Sequence, residues 1–390
     1  MARLGDIVEQ IRGVSYRPSD LRDNLSNNSV ILLRANNIQN GKIVLDDVIY
    51  VSKSKVSQSQ YLRRGDILVC TSSGSKELVG KAAFVDEDLP MVFGAFCKVV
   101  RPKIECCKYM GHFFQSPYYR NHISAASAGA NINNLRNEHI ADLHIPLPPL
   151  DEQREIAAVL DQVSDLIAKR RQQLDKLDEM VKARFVEMFG DPVSNPYHWN
   201  KKGLLQLGDC KNGMNFHTND IGVDIHCLGV GDFKNLSYIA DTSKLPTISL
   251  TDMPSDEYML KDGDIVFVRS NGNKALVGRS LVVYPATIPT TFSGFCIRFR
   301  LHSNEIKTDY LLQVLKSESI RKKMPGRGAN IQNLNQKILG ELQIPVPPLD
   351  LQNQFATFLE QTEKIKTTIS RSLDKLETLK KALMQEYFGV

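Results

Sequence analysis

The heptapeptides CTSSGSK (70–76) and VRSNGNK (268–274) combine small hydroxyl and amide side chains with one glycine and a closing lysine. Such a turn suits contact with phosphates and base edges: backbone N–H, Ser and Asn donate to phosphate oxygens, and Lys neutralises them. The candidate contacts are Thr71, Ser72, Ser73, Ser75 and Lys76 in one loop, and Arg269, Ser270, Asn271, Asn273 and Lys274 in the other. Arg269 and Asn271 carry the donor patterns for bidentate pairs with guanine and adenine. An ordinary hairpin turn uses the same residue types and is the competing reading of either loop taken alone. SAGANINN (127–134) and GRGANIQN (326–333) make a second pair of loops. Asn133, Arg327 and Gln332 are candidates to reach nucleic acid there. Asn131 and Asn330 suit capping of the short helix that follows, and Gly129 and Gly328 permit positive φ. LLRANNIQNG (32–41) adds Arg34, Asn36 and Asn37 as a third candidate. Tyr118, Tyr119 and Arg120 form a basic-aromatic cluster that reads first as helix packing.

Chemistry beyond binding finds little support. GSKELVGKA resembles a phosphate loop only faintly, because five residues separate Gly74 from Gly80 and no Ser or Thr follows Lys81. The eight histidines are scattered, with neither HExxH nor HxH. SNPYHW (194–199) lacks the second proline of an adenine-methylase NPPY loop and has no glycine motif for AdoMet upstream, so it reads as a linker. No GxSxG or Cys/His nucleophile arrangement is present.

The elements that position these loops recur. GANINNLRNEHIADLHIPLPPLDEQ (129–153) returns as GANIQNLNQKILGELQIPVPPLDLQ (328–352), with fourteen of twenty-five positions identical. RRGDILVCTSSGSKELVGKA (63–82) aligns with KDGDIVFVRSNGNKALVGRS (261–280), FGAFCKVVRP (93–102) with FSGFCIRFRL (292–301), and Phe189-Gly190 with Phe388-Gly389. The period is domain-sized, so the chain is a fused pseudo-dimer of α/β (α+β) units with an expected pseudo-two-fold. The expected domains are 1–150 and 191–348, each mixed α/β, separated by long helices over 151–190 and 349–390. Short runs such as DILVCT, GKAAFV and FCKVV predict strands, YMGHFFQSPYYRNHISAAS and TDYLLQVLKSESIRKKM predict helices, and LHIPL or LQIPV a last strand.

After Pro148-Pro149 and Pro347-Pro348, glycine and proline vanish for about forty residues. Asp151 and Asp350 are the expected N-caps. Steps of four and three then trace an apolar seam through Ile156, Leu160, Val163, Ile167, Arg170, Leu174, Leu177, Val181, Arg184 and Met188. The second copy runs Phe355, Leu359, Thr362, Lys366, Ile369, Leu373, Leu376, Lys380, Leu383 and Tyr387. Two such helices related by a two-fold are expected to pack antiparallel as a coiled coil. Ile156, Leu160, Val163, Ile167, Leu174, Leu177, Leu359, Ile369, Leu373 and Leu376 are the expected interhelix contacts. The polar Thr362, Lys366 and Lys380 weaken the second seam.

The 390 residues carry a formal net charge of +5 and 42% hydrophobic residues. That is enough apolar matter for real cores and a mildly basic surface compatible with nucleic acid, leaving room for partners that share the grip. The seven cysteines form no CxxC, which disfavours a disulfide framework or a zinc ribbon. No apolar run approaches the length of a membrane span, the first residues lack the core of a signal peptide, and the expected compartment is the cytoplasm.

A duplicated α/β domain that ends in IPLPPLDEQREIAAVLD or IPVPPLDLQNQFATFLE and runs into a long helix resembles the specificity subunit of type I restriction–modification enzymes. The resemblance covers the whole chain and includes the RGDILV and DGDIVF strands. It implies a non-catalytic DNA reader. Each α/β domain would recognise one half of a split double-stranded target, and the paired helices would set the gap. Two adenine-methyltransferase subunits would dock along the helices and domains, and two motor–endonuclease subunits would add restriction. AdoMet, ATP and magnesium would belong to those partners, not to this chain. Because the loops differ (Thr71 against Arg269, Ser73 against Asn271), the target is expected to be asymmetric. Subunits of related multi-subunit restriction enzymes share the pattern. A coiled-coil protein-interaction scaffold without DNA binding is the rival from another class.

Overall fold

The computed structural model describes residues 1–75, 77–126, 133–216, 221–233, 236–324 and 333–389. The fold is mixed α/β and divides into two units: Met1–Gln172 with Ile369–Val390, and Gln173–Thr368.

In the first unit, β1 (Val8–Arg12), β2 (Leu21–Arg22), β3 (Ser29–Leu33), β4 (Ile49–Ser52), β5 (Ile67–Cys70), β6 (Ser72–Ser73), β7 (Ala82–Phe84), β8 (Met91–Phe93), β9 (Cys97–Pro102) and β10 (Asn133–Asn134) carry the sheets. One sheet has the order β7-β5-β9-β1, the other β8-β3-β4-β2. The continuous apolar run of β5 lies wholly buried at the centre of its sheet, as such a run requires. Helices α1 (Cys107–Phe113) and α2 (Pro117–Ala126) cover it, and the chain leaves through α3 (Leu150–Phe189).

The second unit repeats the plan with β11 (Gly208–Asn212), β12 (Val223–Leu228), β13 (Tyr238–Ile239), β14 (Thr247–Leu250), β15 (Asp264–Val268), β16 (Ser280–Val283), β17 (Thr290–Phe292) and β18 (Cys296–Leu301). Its sheets run β11-β18-β15-β16-β13 and β14-β12-β17, followed by α4 (Thr308–Lys316) and α5 (Leu349–Phe388).

The repeated Gly-Asp-Ile has a structural cause in both units. Gly65 (φ +90°) and Gly263 (φ +86°) occupy the left-handed region that glycine alone takes without strain. The next carboxylates, Asp66 and Asp264, are each 1% exposed. Arg101 donates to Asp66 through Nε at 2.7 Å and Nη2 at 2.8 Å. Arg300 does the same to Asp264 at 2.8 and 2.7 Å. The fork matches the carboxylate geometry and offsets its desolvation.

The hinge explains the other repeat. Strand Ala2–Arg3 pairs antiparallel with His144–Ile145, and Lys201–Gly203 with Gln343–Pro345. Tyr109 Oη donates to the carbonyl of Pro146 at 2.8 Å, and Tyr310 Oη to that of Pro345 at 3.0 Å. Gln153 and Gln352, the last letters of the LDEQ and LDLQ runs, donate Nε2 to the carbonyls of Pro148 (2.8 Å) and Pro347 (2.7 Å). Prolines cannot continue a ladder, so these side chains tie down carbonyls that would otherwise be orphaned. Both helices start one residue earlier than their aspartates. Asp151 and Asp350 therefore are not caps but sit in the first turn, where the helix dipole favours a negative charge.

Each long helix is shared between the units. In the first, Ile156, Ala157 and Leu160 of α3 join one core with Met384 and Phe388 of α5. In the second, Val181, Phe185 and Phe189 of α3 join Phe355, Phe358 and Leu359 of α5. Within either unit the start of one helix meets the end of the other, so they run antiparallel there. Arg171 pairs with Glu377 at 2.7 Å in the first unit, and Lys366 with Asp178 at 2.6 Å in the second. Val163 and Ile167 are buried, while Leu174, Leu177, Leu359, Ile369, Leu373 and Leu376 are half-buried. Toward the helix ends the seam departs from the expected one. Phe185 and Phe189, not Arg184 and Met188, are buried, and Met384 and Phe388, not Leu383 and Tyr387. Steps of four replace the heptad because these turns enter a globular core. Phe388 lies 5.1 Å from Tyr109 and 5.7 Å from Phe113, and Phe189 lies 4.7 Å from Tyr310 (ring centroids). Two of the polar seam positions are accommodated: Thr362 Oγ1 donates to the carbonyl of Phe358 at 2.9 Å, and Lys366 is ion-paired.

Candidate nucleic-acid interface

In each unit the loop after the central strand meets the end of the second candidate loop and the leucine that follows it. β6 pairs with β10 in the register Asn133↔Ser73 and Asn134↔Ser72, and the Leu135 N–H donates to the carbonyl of Thr71 at 2.7 Å. Ser270 bridges Asn333, and the Leu334 N–H donates to the carbonyl of Arg269 at 2.9 Å. About sixty residues separate these partners in sequence, yet the fold makes one surface of them in each unit. Lys76, Arg327 and Gln332 lie outside the described residues, as do Gly129, Asn131, Gly328 and Asn330.

The tips differ in content but share their construction. Ser73 Oγ accepts from the Ser75 N–H at 3.2 Å, and Asn271 Oδ1 from the Asn273 N–H at 2.7 Å. Asn273 Oδ1 accepts in turn from the Ala275 N–H at 3.0 Å. Ser75, Asn273 and Lys274 are exposed, and Ser72, Ser73, Ser270 and Asn271 half-buried. A Cβ placed on Gly74 or Gly272 would meet no atom within 4 Å, and neither glycine has a positive φ. The shared glycine is therefore not needed for the turn; it keeps the tip low, where another backbone can approach. From behind, α2 holds the first loop: Arg120 donates to the carbonyls of Val79 (2.9 Å) and Glu77 (3.1 Å). Arg321 donates to that of Ala275 at 3.2 Å in the second unit. Arg120 and the fully buried Tyr119 thus serve packing.

Two expected contacts are corrected. Thr71 is 6% exposed and its Oγ1 donates to the carbonyl of Phe96 at 3.0 Å, so it fastens the loop and presents nothing outward. Asn37 is 1% exposed. Its Oδ1 accepts from the Arg34 N–H at 2.8 Å and its Nδ2 donates to the carbonyl of Val44 at 2.8 Å, making it the clamp of its own turn. Arg34 and Asn36 both donate to Asp47 Oδ2, at 2.9 and 2.8 Å, and belong to that turn rather than to the paired loops. Arg269 is half-buried, with Nη1 3.3 Å from the carbonyl of Gly294.

Phe96 and Phe295 were not among the expected contacts. They are 70% and 62% exposed. The carbonyl of Phe96 accepts from the N–H groups of Thr71 (2.8 Å) and Ser72 (3.2 Å), that of Phe295 from Arg269 (2.8 Å) and Ser270 (3.3 Å). The signal lay in FGAFC and FSGFC, where the second phenylalanine follows a glycine-containing turn and stands outside the strand.

The model of the type I restriction modification DNA specificity domain matches residues 1–178 and 230–380. The StySPI type I restriction enzyme specificity subunit of Salmonella potsdam is 30% identical, over 99% of this chain and 88% of its own length. The EcoKI specificity subunit of Escherichia coli K12 is 28% identical, over 100% and 88%. Among solved structures, the S subunit of a type I restriction–modification system from M. genitalium aligns with a TM-score of 0.54 at 15% identity, covering 99% of this chain and 95% of that one. A chain from a structure describing assembly and conformational transition of a type I system aligns at 0.56 and 19%, covering 99% and 96%.

Proposed function

Because the chain belongs to the type I restriction modification DNA specificity family, we propose that its two units read the two halves of a split, asymmetric duplex target. The observation that carries this reading is the pair of equivalent loops, identical in scaffold and unlike at the tip. Ser73 stands against Asn271, and a buried Thr71 against a half-buried Arg269, on the same strand-paired base. Two readers of one sequence would have no use for unlike tips. The long helices fix the distance between the readers and offer partner surface. Leu166 and Ile365, and Met180 and Leu379, are exposed apolar residues at matching places in the two repeats. Two adenine-methyltransferase subunits dock there, two motor–endonuclease subunits complete the restriction complex, and AdoMet, ATP and magnesium act in those partners. Bond-making is left to them; this chain supplies address and spacing. It works in the cytoplasm, where the DNA is.

The test is duplex binding by the chain assembled with its methyltransferase subunits, followed across salt concentration, together with the methylated motif of cellular DNA. A bipartite, unlike-halved motif and a steep salt dependence are expected. Binding that ignores duplex DNA altogether would instead support a protein-interaction scaffold.

A further inference from the structure

Phe96 and Phe295 each occupy the third position of a tight turn, closed by the N–H of Cys97 donating to the carbonyl of Gly94 and that of Cys296 to Ser293, both at 2.8 Å. That position commonly holds a small or polar residue. The cysteines that follow are buried, so each ring stands out just before its strand begins. Folding gains nothing from the exposure, since burying such a ring is ordinarily favourable. The mounting is nonetheless specific. Both carbonyls are fastened to the first two residues of the candidate reading loop, by the same pair of N–H donors in both units. A single exposed apolar residue is unremarkable on any surface. Here the same ring recurs on the same mount, beside loops that differ at Thr71 against Arg269, Ser73 against Asn271 and Ser75 against Asn273. What is shared by unlike readers cannot discriminate between bases; it must do a job common to both halves.

We propose that Phe96 and Phe295 are aromatic wedges, each placing its ring against base faces of its half-site, beside the polar loop that reads sequence. This rests on the DNA-reading function above. Every base has an apolar face, so stacking tolerates any sequence, and a phenylalanine entering a base step holds the duplex open or bent toward the loop.

The experiment uses the chain assembled with its methyltransferase subunits and a duplex bearing its methylated motif, with 2-aminopurine at successive positions in either half. Phe96→Ala and Phe295→Ala should each weaken binding about 5- to 100-fold. The salt dependence should be unchanged, because no phosphate contact is lost. Each variant should abolish the local 2-aminopurine response in one half only, and Phe96→Trp or Phe295→Trp should restore it. Variants that bind and respond like the wild type overturn the wedge while leaving the DNA reader intact. So does a loss traced to failed assembly with the methyltransferase, which would make the rings a protein contact. A wild-type complex that shows no salt-dependent duplex binding removes the DNA-reading function itself, and the wedge with it.

Discussion

Asn37 and Asn271 show how one residue type takes on different tasks. Both side-chain oxygens accept from a backbone N–H and shape a turn, but Asn37 is shut inside its turn while Asn271 sits at a half-open tip. Asn37→Ala should therefore cost about 1–3 kcal/mol in chemical denaturation, the penalty for orphaned buried groups, and leave the DNA motif unchanged. Arg269→Ala should relax one half of the motif only, losing about 1–3 kcal/mol of discrimination there; methylome sequencing reads the difference, and a change in both halves would contradict the assignment of one unit to one half. Asp161 offers a pH test. Hydrogen bonding from His112 at 2.8 Å, and then from Lys108 at 2.7 Å, holds its carboxyl at about 2, below its ordinary 3.8. A depressed carboxylate stabilises the fold fully above its unfolded value and loses that contribution as pH falls through the folded one. Asp161→Asn should flatten the acid dependence of the first unit's stability between about pH 4 and pH 2. Residue types in the loops pointed to hydrogen-bonding side chains, but burial is not written in type: nothing in RANN separates a clamp from a reader.

The elements were more legible than the contacts among them. Proline pairs, a forty-residue run without glycine or proline, and the repeated Gly-Asp-Ile mark their own boundaries because each reflects a local backbone constraint. The meeting of β6 with β10, and of Ser270 with Asn333, depends on pairing across about sixty residues and has no local signature. The same holds for the helix ends, where Phe185 and Phe189 broke the heptad to satisfy a core the seam pattern could not foresee. Gln352 tests the hinge. It is fully buried, accepts from the Lys307 N–H at 2.8 Å and donates to the carbonyls of Glu305 and Pro347. Gln352→Ala should destabilise the second unit by about 2 kcal/mol or more, since several buried partners lose it at once. The spacing role has its own test. Four residues inserted after Gln172 in α3 and four after Thr368 in α5 lengthen each helix by about 6 Å. The gap between half-sites should then grow by about one or two base pairs, at roughly 3.4 Å each. An active complex with an unaltered gap would end the idea of the helices as a spacer.

At the scale of the whole molecule, the cores are interlaced along the chain. The first unit is completed by Met384 and Phe388, and the second by Val181, Phe185 and Phe189 from the helix that leaves the first. Phe388→Ala should cost about 3–5 kcal/mol, as for a large ring lost from a core. Hydrogen exchange should show the loss concentrated around Tyr109 and Phe113, with the second unit far less affected. The duplication announced two units, but not that the first would borrow its last turns from the far side of the second.

That borrowing carries a consequence for biosynthesis. When residue 172 leaves the ribosome, the socket around Tyr109 and Phe113 still lacks its plug, which is encoded about two hundred residues later and ends at Phe388. At about 5–20 residues per second, the nascent chain carries that open aromatic pocket for roughly ten seconds or more. An early unit ordinarily matures while its successor is still being made; here the first must wait until the second is complete, and a chain cut off before residue 369 would carry a second unit with its core whole and a first unit left open.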